Sequence, residues 1–398
     1  MTASPASPVS PRAEARREPA ALLLVDDSAV QRRFLRAALE ASPDFTIAGE
    51  ARNGREAVAM VERLQPAAVL MDLDLPVMNG IEAIERIMAS RPTPIVVYSA
   101  FVDGENSTNA IEALAAGAVD VVAKPSWGEG GQLDAYATEL RSRMKVAARA
   151  RVIRHPRGRL RTTAAAVPIA RTPALRADVA PGAPTTAGAA AVAAARSRHP
   201  GTVRLVAIGA STGGPQALAT VLGALPEGFA PAVLVVQHMA DGFIPGLVSW
   251  LDQLCALPVV MGATGHRLAP GTVTVAPSGL NLLVRDHLRV VCEPAPERQF
   301  HVPGIDASFD SIAESVGAEA IGVVLTGMGR DGAAGLKRMR ERGAVTIGQD
   351  EATSAVYGMP AAAWTAGAVE HQLPLPEIAP LVVSLVSPVS PVGEPPCG

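Results

Sequence analysis

A serine hydroxyl becomes a nucleophile when a neighbouring base takes its proton and an acid holds that base in place. The chain of 398 residues carries candidates for all three groups. Residues 207–217 read AIGASTGGPQA, in which Gly209-Ala210-Ser211-Thr212-Gly213 satisfies G-x-S-x-G directly after an apolar run. That pattern describes a tight turn that lifts a serine above a sheet, although glycines so placed are equally open to cradling a phosphate. Of seven histidines, His155 and His199 fall in a segment with no apolar period, which leaves His238, His266, His287, His301 and His371. Only His238 directly closes an apolar run, PAVLVVQH, and Asp331 in IGVVLTGMGRDGAAG is placed to supply the acid. The proposed chain order is Ser211, His238, Asp331.

Two rivals compete for the same residues. An esterase with the Ser, Asp/Glu, His order of α/β-hydrolases would recruit the late His371 instead. A dinucleotide-binding turn is suggested by Gly327-Met328-Gly329-Arg330-Asp331-Gly332, which matches G-x-G-x-x-G, with Asp350 or Glu351 roughly twenty residues on. Against it, only about 70 residues remain, too few for the rest of such a fold.

A second constellation lies nearer the N-terminus. Asp26 and Asp27 follow ALLLV, Asp72 follows AAVLM, Ser99 follows PIVVY, and Lys124-Pro125 follows VDVVA. Any one of these reads as a strand end or cap, and Asp27-Ser28 before VQRRFLRAALE suits a helix start. Together, three carboxylates, a hydroxyl and a lysine at strand ends make a hard-oxygen site, suited to Mg²⁺ with phosphate as an additional ligand.

The elements that must position these groups follow from the apolar pattern. From residue 20 to 145, five short apolar runs alternate with helical stretches such as SAVQRRFLRAALEA, which marks a parallel α/β domain. Residues 146–201 are dominated by Ala, Arg, Pro and Thr without a sustained period and read as a long, semi-flexible linker. From 202 to 388 the alternation resumes in VRLVAIG, PAVLVVQH, TVTVAPS, IGVVLTG and AVTIGQD. Residues 1–19 and 389–398 read as tails. The expected fold is α/β, two doubly wound parallel-sheet domains joined by that linker.

Composition narrows the class. A hydrophobic share of 48%, a charged share of 18% and a net charge of −3 fit a globular protein and argue against a nucleic-acid or membrane-surface binder. The first apolar run is too short to span a bilayer. Three cysteines, Cys255, Cys292 and Cys397, cannot all pair and show no metal-ligand spacing, which points to a reducing, cytoplasmic setting. Cys255 and Cys292 lie in or beside apolar stretches and read as packing residues.

Residues 21 to about 143 resemble the receiver domains of two-component response regulators, a flavodoxin-like fold, through LLLVDDS, VLMDLDLPVMNG, YSA and AKP in that order. The resemblance implies that Asp72 accepts a phosphoryl group from a histidine kinase. It also implies that Asp26, Asp27, Asp72 and the backbone carbonyl of Asp74 bind Mg²⁺, and that Ser99 and Lys124 meet the phosphate and carry the switch. Val121 stands where many receivers have an aromatic residue, which puts the aromatic-rotamer form of that switch in question.

The stretch from about Arg204 to Pro380 resembles the catalytic domain of the chemotaxis protein-glutamate methylesterases through GASTGG, VVQHM, HRLAPGTVTVAP, VLTGMGRDGAAG and GQDEATSAVYGMP. The resemblance implies Ser211 as nucleophile, His238 as base, Asp331 as orienting acid and the Met328 N–H as an oxyanion donor, with no cofactor in this domain. The implied reaction is hydrolysis of glutamate γ-methyl esters, and deamidation of glutamines, on methyl-accepting chemotaxis receptors. The unphosphorylated receiver would dock on the hydrolase and obstruct substrate. In VAPSGLNLLV, Ser278 and Asn281 replace the family's usual glycine and histidine, which keeps open an alternative: a receptor-array adaptor with weak or altered esterase activity. His301 has a family counterpart near the cleft and reads equally as a surface-loop histidine.

Overall fold

The computed structural model describes residues 18–99, 105–125, 132–152, 203–297 and 299–386. The expected tails, apart from residues 18 and 19, and the expected linker beyond residue 152 lie outside them.

The first unit runs β1 (Ala20–Val25), α1 (Ala29–Glu40), β2 (Phe45–Ala51), α2 (Gly54–Leu64), β3 (Ala68–Asp72), α3 (Gly80–Ser90), β4 (Ile95–Ser99), α4 (Glu105–Ala116), β5 (Asp120–Ala123) and α5 (Gln132–Ala147). Its sheet has the order β2-β1-β3-β4-β5 and every pairing is parallel. Parallel strands covered on both faces must be apolar along their whole length, and AVLMD and IVVYS are buried at every residue. The helices between them start on side-chain caps: the Asn53 and Asn79 carboxamides accept from the Glu56 and Glu82 N–H groups at 2.9 and 2.8 Å. α2, α3 and α4 cover one face through Val61, Ile84 and Leu114, while α1 and α5 cover the other through Leu35, Leu39 and Leu140.

The second unit contains β6 (Leu205–Ala210), α6 (Gly214–Gly223), β7 (Ala232–Gln237), α7 (Ile244–Leu254), β8 (Val259–Met261), β9 (Val273–Val275), β10 (Asn281–Arg285), β11 (Arg289–Glu293), α8 (Ile305–Ser315), β12 (Ala320–Val324), α9 (Ala333–Glu341), β13 (Val345–Gln349), α10 (Met359–Thr365), β14 (His371–Leu373) and α11 (Leu375–Val386). Seven strands pair in parallel in the order β14-β13-β12-β6-β7-β9-β8, and β10 and β11 form a separate antiparallel hairpin. α6, α7 and α11 pack on one face through Leu218, Leu251 and Leu381, and α8, α9 and α10 on the other through Phe309, Leu336 and Met359. The expected class, two doubly wound parallel sheets, holds for both units. The hairpin and the three-residue strands β8 and β14 were not among the expected elements.

Each sheet has a point where successive strands leave in opposite directions, and there the loops at the carboxyl ends splay apart to open a crevice. In the first sheet this lies between β1 and β3, and in the second between β6 and β12. The α2–α4 side of the first sheet and the α6, α7 and α11 side of the second belong to one continuous apolar cluster.

Candidate functional sites

At the crevice of the first sheet, carboxylate oxygens of Asp26, Asp27 and Asp72 lie within 4.8 Å of one another. Lys124 follows β5 and places its Nζ 2.6 Å from Asp72 Oδ2 and 3.4 Å from Asp26 Oδ2. Asp72 is 3% exposed, and its Oδ1 accepts from the Leu73 N–H at 2.8 Å. Burial pushes the Asp72 carboxyl up to about 6, a rise that the Lys124 ammonium only partly opposes and the Asp26 charge reinforces. Ser99 is buried at the end of β4, where its carbonyl accepts from the Lys124 N–H at 2.7 Å. The Asp74 side chain is exposed and stands outside the carboxylate cluster, with its N–H 3.5 Å from Asp72 Oδ1. Three converging carboxylates fit a small hard cation. Val121 is a buried strand residue, and the aromatic ring beside Lys124 is Tyr98, whose centroid lies 5.1 Å from Nζ.

The second crevice gathers Ser211, His238 and Asp331. Ser211 is the first residue past β6; its N–H donates to the Thr326 carbonyl at 3.0 Å, tying the turn to the end of β12. Its own carbonyl accepts from Gly214 N at 2.7 Å and from Gln237 Nε2 at 2.9 Å. Gly213 has φ +75°, the left-handed conformation that a glycine adopts without strain. Gly327 matters for a different reason: a Cβ there would collide with the Cβ of Ser211, so only a glycine lets the two turns approach. The first glycine of the G-x-G-x-x-G match is therefore packed against the serine turn, where a dinucleotide site would need open space for pyrophosphate.

His238 is the first residue past β7, and its N–H donates to the Ala210 carbonyl at 3.0 Å, which sets the two turns side by side. Its ring is buried, with Nε2 2.8 Å from Asp331 Oδ2 and Nδ1 without a hydrogen-bond partner among the described residues. Asp331 Oδ2 also accepts from Ile305 N at 2.8 Å, and Oδ1 from Asp306 N at 2.9 Å, so the first turn of α8 points its positive end at the carboxylate. Burial pushes the Asp331 carboxyl up, but the hydrogen bond to His238, the attraction of its ring when that ring is protonated, and these N–H groups outweigh it and hold the carboxyl below its ordinary range.

His371 lies elsewhere. It opens β14 at the sheet edge, with β13 and β12 between it and β6, a separation of roughly 14 Å at ~4.8 Å per strand. The late-histidine arrangement is not assembled. His301 is brought in: its ring stacks on His238, centroids 4.5 Å apart and planes 17° from parallel. Nothing in the residue types around His301 separated this contact from a surface loop.

The receiver-like unit meets the second unit at the serine turn. The Gly213 N–H donates to the Val119 carbonyl at 2.9 Å, and Thr212 Oγ1 donates to Asp120 Oδ2 at 3.4 Å. Gln216 Nε2 donates to the carbonyls of Leu114 and Ala118 at 2.9 and 3.1 Å. On α5, Arg143 pairs with Asp120 at 3.1 Å, and Ser142 Oγ lies 4.0 Å from the Met328 sulfur. Beyond α5 the Arg151 N–H donates to the Ala355 carbonyl at 2.9 Å. None of these contacts was expected residue by residue: backbone carbonyl acceptors leave no mark in a sequence, and the side chains of Thr212 and Asp120 meet from 92 residues apart.

Comparison with known proteins gives a consistent result. The family model for CheB methylesterase matches residues 206–382, and that for the response regulator receiver domain matches residues 22–131. Protein-glutamate methylesterase/protein-glutamine glutaminase 3 of Paramagnetospirillum magneticum is 39% identical over 358 residues, covering 90% of this chain and 94% of that protein. Protein-glutamate methylesterase/protein-glutamine glutaminase 1 of Cupriavidus pinatubonensis is 42% identical over 371 residues, covering 92% and 98%. The crystal structure of the Thermotoga maritima CheB methylesterase catalytic domain is 32% identical and covers 47% of this chain and 100% of that one, with a TM-score of 0.45. The chain belongs to the CheB methylesterase family, in the form that carries a response regulator receiver domain ahead of the catalytic domain.

Proposed function

We propose that the protein hydrolyses glutamate γ-methyl esters, and deamidates selected glutamines, on methyl-accepting chemotaxis receptors, with Ser211, His238 and Asp331 as its catalytic residues. The relatives' names supply the substrate class. The observation that carries the assignment is the His238–Asp331 pair at 2.8 Å, anchored by the first turn of α8 and set beside Ser211 at the topological switch point.

In the reaction, Ser211 Oγ attacks the ester carbonyl and its proton passes to His238. Because Nε2 is engaged by Asp331, Nδ1 is the nitrogen that takes that proton. The tetrahedral oxyanion is met by backbone N–H groups, for which the Met328 N–H is the assigned donor. The imidazolium returns its proton to the departing methoxy oxygen, releasing methanol and leaving an acyl ester on Ser211. Water, deprotonated by His238, then hydrolyses that ester to the glutamate carboxylate and restores the hydroxyl. With a glutamine substrate the leaving group is ammonia and the remaining steps are the same.

Regulation enters through Asp72. A histidine kinase transfers its phosphoryl group to a carboxylate oxygen of Asp72 and regains a free imidazole. Asp26, Asp27 and Asp72, with the Asp74 carbonyl, would hold Mg²⁺, which neutralises the transferring phosphoryl group. Ser99 and Lys124 meet the new phosphoryl oxygens, and Lys124 must then exchange its present contacts with Asp72 and Asp26. In the unphosphorylated chain the contacts from α4, the loop after it and β5 cover the serine turn, and phosphorylation releases them. Among the described residues no helix is long and apolar enough to cross a membrane, and the proposed site of action is the cytoplasmic portion of the receptors. The test is methanol release from methylated receptors with and without a phosphodonor: a several-fold rise supports regulated hydrolysis, and no release under either condition overturns it.

A further inference from the structure

Asn281 stands at the start of β10, inside the segment where this chain departs from the pattern of the methylesterases it resembles. Its side chain does not offer itself to a substrate, since the residue is 3% exposed. Its Oδ1 accepts from Gln299 Nε2 at 2.8 Å and from the Gly304 N–H at 2.7 Å, and its Nδ2 donates to Gln299 Oε1 at 2.8 Å. The two carboxamides thus form a reciprocal pair. Gln299 Nε2 also donates to the His301 carbonyl at 2.6 Å.

What this pair ties down is the loop 299–304. That loop carries His301, whose ring covers one face of His238. It then runs directly into α8, whose first two N–H groups hold Asp331. The imidazole is therefore bounded by two things the loop positions: a stacked ring on one face and an anchored carboxylate at Nε2. On its remaining side, Nδ1 has no hydrogen bond among the described residues to fix the ring.

We propose that Asn281 and Gln299 are positioning residues: their amide pair fixes the loop 299–304 so that His301 and the start of α8 hold the His238 ring with Nε2 on Asp331 and Nδ1 left for Ser211. The inference rests on the assignment of Ser211, His238 and Asp331 as the catalytic groups. It explains the departure at position 281, because an asparagine can donate to and accept from one carboxamide while accepting from a backbone N–H as well. A neutral imidazole also has two polar atoms, but its single acceptor nitrogen takes one hydrogen bond where the carboxamide oxygen takes two, so it cannot make all three bonds.

The test uses the full chain, activated by a phosphodonor, with methylated receptors as substrate. Asn281→Ala, Gln299→Ala and Asn281→His should each lower kcat by about tenfold with KM changed by less than about twofold, the mark of a misplaced catalytic group rather than a lost substrate contact. The double variant Asn281→Ala/Gln299→Ala should be no slower than either single one, since both remove the same pair. His301→Phe, which keeps a ring over His238, should retain kcat within about threefold, whereas His301→Ala should fall with the amide variants. Should Asn281→Ala fail to fold, Gln299→Ala and the two His301 variants carry the same comparison. Folded variants with unchanged kcat, or with a raised KM alone, overturn the inference while Ser211→Ala remains inactive. An active Ser211→Ala would instead remove the assignment on which the inference stands.

Discussion

Replacing Gln216 with alanine should raise the basal esterase rate of the full chain while leaving the phosphorylated rate unchanged. Gln216 lies on α6, and its Nε2 donates to the Leu114 and Ala118 carbonyls of the receiver unit at 2.9 and 3.1 Å. Each such bond contributes about 1 kcal/mol net, so the variant weakens closure by about 2 kcal/mol. That corresponds to about a 30-fold shift in the closed-to-open ratio. If the unphosphorylated chain is about 99% closed, the open fraction rises from about 1% to about 23%, and methanol release rises roughly 20-fold. The assay is the initial rate of methanol release from methylated receptor membranes by both proteins, with and without a phosphodonor. A variant that melts like the parent but shows the parent's basal rate would refute occlusion through this contact. An equal proportional rise in the phosphorylated state would refute it too, since Gln216 would then act on the serine turn itself.

Other consequences follow from the two crevices. Burial raises the Asp72 carboxyl to about 6 in the folded chain, above its ordinary 3.8, so its contribution to stability is present below about pH 4 and is lost as pH rises through 6. Asp72→Asn should therefore melt close to the parent at pH 4 and above it at pH 7 in the absence of divalent cations, by up to about 3 kcal/mol; equal melting temperatures at pH 7 would contradict the buried-charge account. Chelating divalent cations should abolish the response to a phosphodonor and leave basal methanol release unchanged. His371→Ala, altered at the sheet edge away from Ser211, should keep kcat within about twofold in the folded fraction; an inactive but folded variant would revive the late-histidine arrangement.

Much of this was legible because the apolar runs end where chemistry begins. In a parallel sheet the residue after each run lies at the carboxyl edge, so ALLLV and AAVLM put Asp26, Asp27 and Asp72 at one crevice. By the same rule the runs before Ser211 and His238 and the loop holding Asp331 converge on the other. The edge strands β8 and β14 escaped because three residues are too few to show a period, whereas β9, equally short, stood out inside the alternating run TVTVAPS. The Asn281–Gln299 pair escaped because two polar residues eighteen apart look like ordinary surface until the fold joins a buried Asn281 to a half-buried Gln299. The same holds for the contacts between units: Thr212 meets Asp120 across 92 residues, and Gly213 and Gln216 reach backbone carbonyls that any residue could supply. Which imidazole nitrogen faces Asp331 depends on the ring's rotamer, and no spacing encodes it.

The central claim is that Ser211 carries out ester hydrolysis on receptors under the control of Asp72. Its most direct test is methanol release from methyl-labelled receptor membranes by the parent chain, Ser211→Ala and Asp72→Ala, each with and without a phosphodonor. The account predicts stimulated release by the parent, none above background by Ser211→Ala, and an unstimulated basal rate by Asp72→Ala. Release by Ser211→Ala at the parent's rate, or no release by a folded and phosphorylated parent, would contradict it.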